Sequence, residues 1–352
     1  MIRVAILGCG RIAKRHADLL GLRQIRGAEL AAVCDSVPMR TEQFAKRYGV
    51  PGFNRIEELL SQRNIDVIAI LTPSGMHAEH AVAALRAGFH VVVEKPMALT
   101  LPDADRMVAA ADAANRRLFV VKQNRFNVPV VKARHALESG RLGKLVLGTV
   151  RVRWCRDQGY YAQDAWRGTW AQDGGVIANQ ASHHVDMLGW FMGPAESIHA
   201  RGTTALVDIQ AEDTAVATIR FRNGALGIVE ATGATRPRDL EGSLSVLGSG
   251  GSVEISGFAV NQMRHWSFVE PQPEDADVLE RYSVNPPNVY GFGHQAYYEH
   301  VVDCLQTGKL ALVDGREGRN SLELVVGLYE AMASGQEVRF PVEARHTRLG
   351  RA

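Results

Sequence analysis

Ile2-Arg3-Val4-Ala5-Ile6-Leu7-Gly8-Cys9-Gly10-Arg11-Ile12-Ala13 decides how the rest of the chain is read. A short apolar run, Val4–Leu7, stops at Gly8, and G-x-G-x-x-A then opens a helical pattern. Glycine permits a tight turn and a close backbone approach, and the N–H groups at a helix start face an anion. Strand, glycine turn and helix in that order point to a dinucleotide site, with the pyrophosphate against Gly8, Gly10, Arg11 and Ile12. Asp35 closes the next apolar run, Leu30–Cys34, where a carboxylate bonds the adenosine ribose hydroxyls and repels a 2′-phosphate. NAD is therefore expected over NADP, with Arg40 the nearby residue that argues the other way.

Further runs follow at Val67–Leu71, Val91–Glu94 and Leu118–Lys122. They are rich in Val, Ile and Leu without strict alternation, as strands covered on both faces should be. Helical patterns lie between them, at His77–Ala87 closed by Gly88, and at Pro102–Ala114 with Thr100 as a cap and Asp103 three residues on. Such β-α-β spacing predicts a doubly wound parallel sheet over residues 1–123. Ligands of an open α/β sheet bind beyond the carboxyl ends of its strands, so Thr72, Pro73, Ser74, His77, Glu94 and Lys95 are expected on the cofactor rim, with Gln123 after the last run. Lys95 would steady an alkoxide near the nicotinamide. The plainer reading is a surface ion pair between Glu94 and Lys95, against which Pro96 can fix a cis turn that re-aims the lysine.

The pattern changes after residue 123. A helix, Pro129–Glu138, ends at Ser139-Gly140, and alternating strands follow at Lys144–Arg156, Thr214–Phe221, Ala225–Ala231 and Ser243–Leu247. Asn223-Gly224 reads as a hairpin turn. This predicts a second α/β domain over 124–340 with a large, open, mostly antiparallel sheet, and helices at Gly293–Thr307 and Gly318–Ser334. Glu270–Asp277 and Asn285–Asn288 read as loops, and 341–352 as a polar tail.

The densest polar cluster runs from Asp173-Gly174-Gly175 to His183-His184-Val185-Asp186. If helical, Asn179, His183 and Asp186 share one face. A histidine so placed suits general-base work near neutrality. A metal at His183, His184 and Asp186 is disfavoured, since adjacent histidines on a helix diverge by about 100° and no other motif supplies ligands. A hydrogen-bonded core histidine is the bland alternative. Lys122, Arg125, Arg153, Arg156 and Arg167 gather cationic groups suited to carboxylate or phosphate. Arg151 and Arg153 share a strand face opposite Val150, Val152 and Trp154, which equally suits a solvated face or a subunit contact. Tyr160, Tyr161, Trp166 and Trp170 stack on a ligand or simply pack.

Composition bounds these readings. The chain has 352 residues, too many for one ordinary core, so two domains are expected. With 40 Lys+Arg against 38 Asp+Glu, it lacks the basic excess of a nucleic-acid binder. Its 46% hydrophobic content argues against disorder. No apolar run reaches the ~18 residues of a membrane span, and the start lacks a signal peptide's layout. Cys9, Cys34, Cys155 and Cys304 form no CxxC, so neither a zinc ribbon nor a disulfide framework is indicated, and a reduced cytoplasmic protein is expected.

Taken together, G-x-G-x-x-A, Asp35, Thr72-Pro73-x-x-x-His77, Glu94-Lys95-Pro96 and Gly174-Gly175 leading to His183-x-x-Asp186 resemble the Gfo/Idh/MocA oxidoreductases. The resemblance implies a Rossmann domain binding NAD, then an α/β domain whose open sheet packs against another subunit in a dimer or tetramer. It also implies Lys95 and His183 as the catalytic pair. Many members carry Asp where this chain has Asn179; an amide bonds a hydroxyl but takes no proton, so base work would fall on His183.

Within the family, Lys122–Asn127, Ala165–Trp170, Asn179–His184 and Tyr290–His294 look like the WlbA/WbpB group. Those enzymes oxidise the 3-hydroxyl of UDP-N-acetylglucosaminuronic acid on the way to bacterial surface polysaccharide, some recycling the cofactor with 2-oxoglutarate. The resemblance implies a UDP-sugar substrate met by Lys122, Arg125, Arg153, Arg167, Asn179, Gln180 and His184. An inositol or hexose dehydrogenase, an NAD-dependent glycosidase and a non-catalytic NAD-dependent sensor stay open. A sensor would need neither Lys95 nor His183.

Overall fold

The first sheet is assembled from the apolar runs of the amino-terminal third: β1 (Ile2–Leu7), β2 (Ala28–Cys34), β3 (Gly52–Phe53), β4 (Val67–Ile70), β5 (His90–Val93) and β6 (Leu118–Val120). They are seen in a computed structural model that describes residues 1–257, 259–284 and 292–351. The strands lie in the order β3-β2-β1-β4-β5-β6, and every neighbouring pair is parallel. Strand order reverses beside β1, so the carboxyl ends of β1 and β4 lie at the switch point where such sheets take ligands. Thr100 caps the helix Leu101–Ala114 by accepting the Asp103 N–H at 3.2 Å.

The first unit is not one continuous stretch: it combines Met1–Val121 with His294–Asn320. The helix Gly293–Thr307 and the turn after it return to this sheet, where an unbroken second domain was expected. Val120 donates its N–H to the Val313 carbonyl at 3.1 Å, and Arg117 binds the carbonyls of Gly308 and Lys309 at 2.7 Å each. The second unit comprises Lys122–Gly293 with Ser321–Ala352.

That unit holds β7 (Leu145–Arg153), β8 (Ala195–Thr203), β9 (Thr214–Phe221), β10 (Leu226–Thr232), β11 (Glu241–Gly248), β12 (Gly251–Ser256), β13 (Gln262–Phe268) and β14 (Val338–Arg339). Their order is β13-β12-β11-β7-β10-β9-β8-β14, and only the β7–β10 pair is parallel among the described residues. Asn223-Gly224 closes the β9–β10 hairpin, Gly224 donating to the Phe221 carbonyl at 2.9 Å. One sheet face buries Val150, Val152, Val229, Leu244 and Val246, and the helix Ser182–Met192 packs on β7 and β11. The opposite face carries Arg151, Arg153, Glu230, Glu241 and Glu254 in cross-strand ion pairs, beside exposed Val216, Leu226 and Ile228.

Three expectations need correction. The second carboxyl-terminal helix begins at Gly315, not Gly318. Within Glu270–Asp277, residues Pro273–Asp275 form a 3-10 turn. The stretch read as a polar tail is not polar throughout and is docked: the Glu330 carboxylate accepts the N–H groups of Arg345, His346 and Thr347, and Leu349 is buried. The turn expected at Asn285–Asn288, and Tyr290 and Gly291, lie outside the described residues.

Candidate active site

In the first unit, the strand ends bring Gly8, Gly10, Asp35, Thr72, Pro73, Ser74, Glu94 and Lys95 to one rim. Gly8 has φ +98°, and a Cβ there would lie 2.8 Å from the Leu71 carbonyl carbon, so β4's end requires glycine. Gly10 is different: a Cβ would meet nothing within 4 Å, and the space it would fill lies over the turn, before the helix Ala13–Gly21. Asp35 shapes that turn, its Oδ2 accepting the Cys9 N–H at 2.7 Å and its Oδ1 the Val37 N–H at 2.8 Å. Each carboxylate oxygen retains a lone pair for a ribose hydroxyl. These features fit a dinucleotide, with exposed Arg11 and half-buried Ile12 at the helix entry.

His77, expected to contact the cofactor, is instead buried with Nδ1 2.8 Å from the Pro96 carbonyl and Nε2 2.8 Å from that of Thr72. It braces the ends of β4 and β5, and burial pushes its pKa down despite the two carbonyls. The Thr72 hydroxyl meets His80 at 3.0 Å. Ser74 is buried in the 3-10 turn Ser74–Met76 that Pro73 precedes. The Lys95–Pro96 peptide is cis. Glu94 is buried, which rules out the exposed ion pair considered above.

In the second unit, His183, His184 and Asp186 lie on the helix Ser182–Met192. Asn179 does not share that helix, because residues 175–181 run as hydrogen-bonded turns before it. Its amide is instead held by Asp173 at 2.6 Å. Gln123, expected on the cofactor rim, donates its amide to His183 Nε2 at 3.1 Å. Arg125 grips both oxygens of Asp186, at 2.8 and 2.7 Å, stacked 4.7 Å over the Trp190 ring. Lys122 lies 3.9 Å from the same carboxylate and donates to the Ser182 carbonyl at 3.4 Å. Burial alone would raise the Asp186 pKa; the charges of Arg125 and Lys122 reverse this and hold it below the usual carboxylate range. These two cations, expected to hold an anionic ligand, instead anchor the helix of His183.

Arg153 is not brought to this helix at all. It lies on the other sheet face, bound to Glu230 at 2.6 and 2.8 Å. Arg167 stays close to the cluster: it donates to the Tyr160 hydroxyl at 2.9 Å, which also accepts the Gln180 amide at 3.4 Å, and it stacks on Tyr160 and Trp166. Arg156 pairs with Asp239 and covers Trp154. His184 packs edge-on against Trp154 with neither nitrogen hydrogen-bonded among the described residues, and burial pushes it down to about 4. Burial thus keeps this imidazole neutral where it packs on Trp154. Among the described residues, His16, Glu94 and His294 form a compact His/carboxylate group, which motif reading misses because its members are far apart in sequence.

A doubly wound sheet with a glycine turn and an acid at adjacent strand ends, followed by a mixed-sheet α/β unit, defines a two-domain, dinucleotide-dependent oxidoreductase. Comparison with known proteins narrows this. Residues 2–122 match the NAD-binding Rossmann domain of the Gfo/Idh/MocA oxidoreductase family, and residues 134–340 match its C-terminal alpha/beta domain. The chain belongs to this family, and its cofactor is NAD. It is similar to the WlbA dehydrogenase of Bordetella pertussis, solved with NADH and UDP-GlcNAcA: 41% identical, TM-score 0.90, over 97% of this chain and 98% of that one. The Chromobacterium violaceum WlbA structure, with the same ligands, is 41% identical, TM-score 0.91, over 97% and 96%. Myo-inositol 2-dehydrogenase of Thermotoga maritima is 29% identical over 96% of this chain and 97% of its own.

Proposed function

We propose that this enzyme oxidises the C3 hydroxyl of UDP-N-acetylglucosaminuronic acid to the 3-keto sugar nucleotide. The observation that carries this reading is the 41% identity, over 97% of the chain, to a dehydrogenase solved with that sugar nucleotide. NAD, when bound, supplies the hydride acceptor. The turn Gly8–Ala13 would receive its pyrophosphate and Asp35 its adenosine ribose. His183 takes the hydroxyl proton on Nε2, whose single lone pair accepts the Gln123 amide until the substrate hydroxyl displaces that donor. The Lys95 ammonium steadies the alkoxide. Asn179, held by Asp173, and Gln180, tied to Tyr160, orient the sugar ring. Arg167, which pairs with Asp164 at 3.1 Å and shares that tyrosine hydroxyl, is the guanidinium assigned to an anionic group of the ligand. Its planar face is fixed by Tyr160 and Trp166.

The proposed setting is polysaccharide precursor synthesis in the cytoplasm, by a homo-oligomer, with 2-oxoglutarate as a candidate acceptor for recycling the cofactor. No helix among the described residues is long and apolar enough to cross a membrane. A second reading, oxidation of inositol or a related polyol, is favoured by the likeness to myo-inositol 2-dehydrogenase. Incubation with NAD and UDP-N-acetylglucosaminuronic acid, with and without 2-oxoglutarate, followed by mass spectrometry, decides between them. A product lighter by two hydrogens is expected. Oxidation of myo-inositol but not of the sugar nucleotide would replace the substrate.

A further inference from the structure

Glu94, the residue before Lys95, is a carboxylate with only 6% of its surface exposed. Burying such a charge is costly unless partners compensate it. Here they come from two helices of the first unit. Oε1 lies 3.1 Å from His16 Nε2, on the helix Ala13–Gly21, and 3.9 Å from His294 Nε2, on the helix Gly293–Thr307. The other ring nitrogen of His16 is 2.7 Å from the Tyr298 hydroxyl, and both histidines and the tyrosine are buried. The His16 ring meets those of His294 and Tyr298 edge-on, at 5.3 and 5.5 Å. Burial would raise the Glu94 pKa, yet the His16 hydrogen bond and the nearby His294 imidazole hold it well below the usual carboxylate range. The remaining oxygen, Oε2, accepts the Lys95 backbone N–H at 2.9 Å.

Replacing buried ionic groups by apolar ones is often neutral or stabilising, so a polar assembly recruited from three elements points to a role other than packing. Among the described residues, the backbone N–H that its carboxylate accepts is that of Lys95. We propose that His16, acting through Glu94, is a positioning residue for Lys95: the imidazole fixes the carboxylate, and the carboxylate fixes the amide from which the lysine side chain departs. This rests on the reading of Lys95 as the residue that steadies the alkoxide. A metal at His16, Glu94 and His294 is the competing use of the same atoms, which lie within 4.8 Å of one another. It would have to break the 3.1 Å contact between His16 and Glu94.

The test compares the full-length parent with His16→Leu, His16→Gln, Tyr298→Phe and Lys95→Ala. Amide hydrogen exchange at Lys95, resolved by fragmentation mass spectrometry, reads the pinning directly and needs no substrate. His16→Leu should speed that exchange at least tenfold while β4 amides stay protected, and His16→Gln, which keeps a donor, should restore most of it. On the sugar found to be oxidised, His16→Leu should lower kcat about tenfold with KM and the NADH Kd within threefold. Should His16→Leu not fold, Tyr298→Phe carries the test, with a threefold or greater rise in Lys95 exchange. Parental exchange at Lys95 in the folded variants overturns the proposal. So does a stoichiometric metal ion in the purified parent that His16→Leu and His16→Gln lose. Parental turnover by Lys95→Ala would instead remove the catalytic reading, whatever His16 does.

Discussion

Tyr329 donates its hydroxyl to Glu212 Oε1 at 2.9 Å, while its oxygen accepts the Gly175 N–H at 2.8 Å. Glu212 Oε1 also accepts the Ile177 N–H at 2.9 Å, and its backbone carbonyl accepts that of Val176. The pair thus grips residues 175–177 from behind, just upstream of Asn179, Gln180 and His183. A Cβ at Gly175 would lie 2.1 Å from the Glu212 carbonyl oxygen, which is why the segment carries glycine there.

Among the described residues no cation is paired with that carboxyl, and burial pushes it up to about 7 from 4.5. The fold therefore prefers the protonated acid. Its contribution to stability is full below pH 4.5 and is lost as pH rises through 7; the difference amounts to about 3 kcal/mol. All five tryptophans (154, 166, 170, 190 and 266) lie in the second unit, so their fluorescence during urea unfolding reports on it. Glu212→Gln should gain stability relative to the parent by about 2–3 kcal/mol between pH 5 and pH 8. An offset that is the same at both pH values would show that the carboxyl is not titrating there.

Asp186 has the opposite sign. Held below its ordinary pKa by Arg125 and Lys122, it stabilises the fold above pH 3.8 and loses that contribution as pH falls toward its lowered value. Asp186→Ala strands two buried cations, and breaking a buried pair in this way costs about 3–5 kcal/mol. Urea unfolding at pH 7 should show that loss, with a shift in tryptophan emission because Arg125 lies over Trp190. A loss below about 1 kcal/mol, the range of exposed pairs, would mean the triad is solvated.

The contrast between these groups shows what a sequence reveals. The sheets were legible because they rest on local periodicity: unbroken Val/Ile runs for covered strands, alternation for β9 and β10, and Asn223-Gly224 between them. β8 and β13 escaped notice because AESIHARGT and QMRHWSF mix charges and small residues without a clean alternation. The alternation of Arg151 and Arg153 against Val150 and Val152 is visible in the sequence, but not which face the helix Ser182–Met192 covers, and that face decides where Arg153 lies. Spacing alone extends that helix to Asn179, because it cannot reveal that Glu212 and Tyr329 hold the preceding turns. His16 left no local signal, since its partners Glu94 and Tyr298 stand 78 and 282 residues away.

The docked carboxyl-terminal segment also has a measurable weight. Leu349 is 1% exposed beside Gly174, Gly350 donates to the Trp170 carbonyl at 2.8 Å, and Arg348 lies over the Trp170 ring. Leu349→Ala should therefore destabilise the second unit by about 2–5 kcal/mol, as for other buried leucines. Truncation after Ala344 should cost at least as much, because it also strips the three N–H donors from Glu330. If tryptophan-detected unfolding is unchanged in both, the segment does not buttress the turn at Gly174.

The two glycines of the dinucleotide turn make a paired prediction, because they are glycine for different reasons. Gly8→Ala places a methyl 2.8 Å from the Leu71 backbone at φ +98°, so it should lower the melting temperature with or without cofactor. Gly10→Ala meets nothing within 4 Å and should melt within about 2 °C of the parent. Its methyl nevertheless occupies the space through which a pyrophosphate approaches the turn. NADH titration by fluorescence should show Kd raised at least about tenfold, or about 1.4 kcal/mol. Stability and affinity thus separate at neighbouring positions of one loop. Gly10→Ala binding NADH like the parent would move the pyrophosphate away from this turn, while leaving the sheet that presents it untouched.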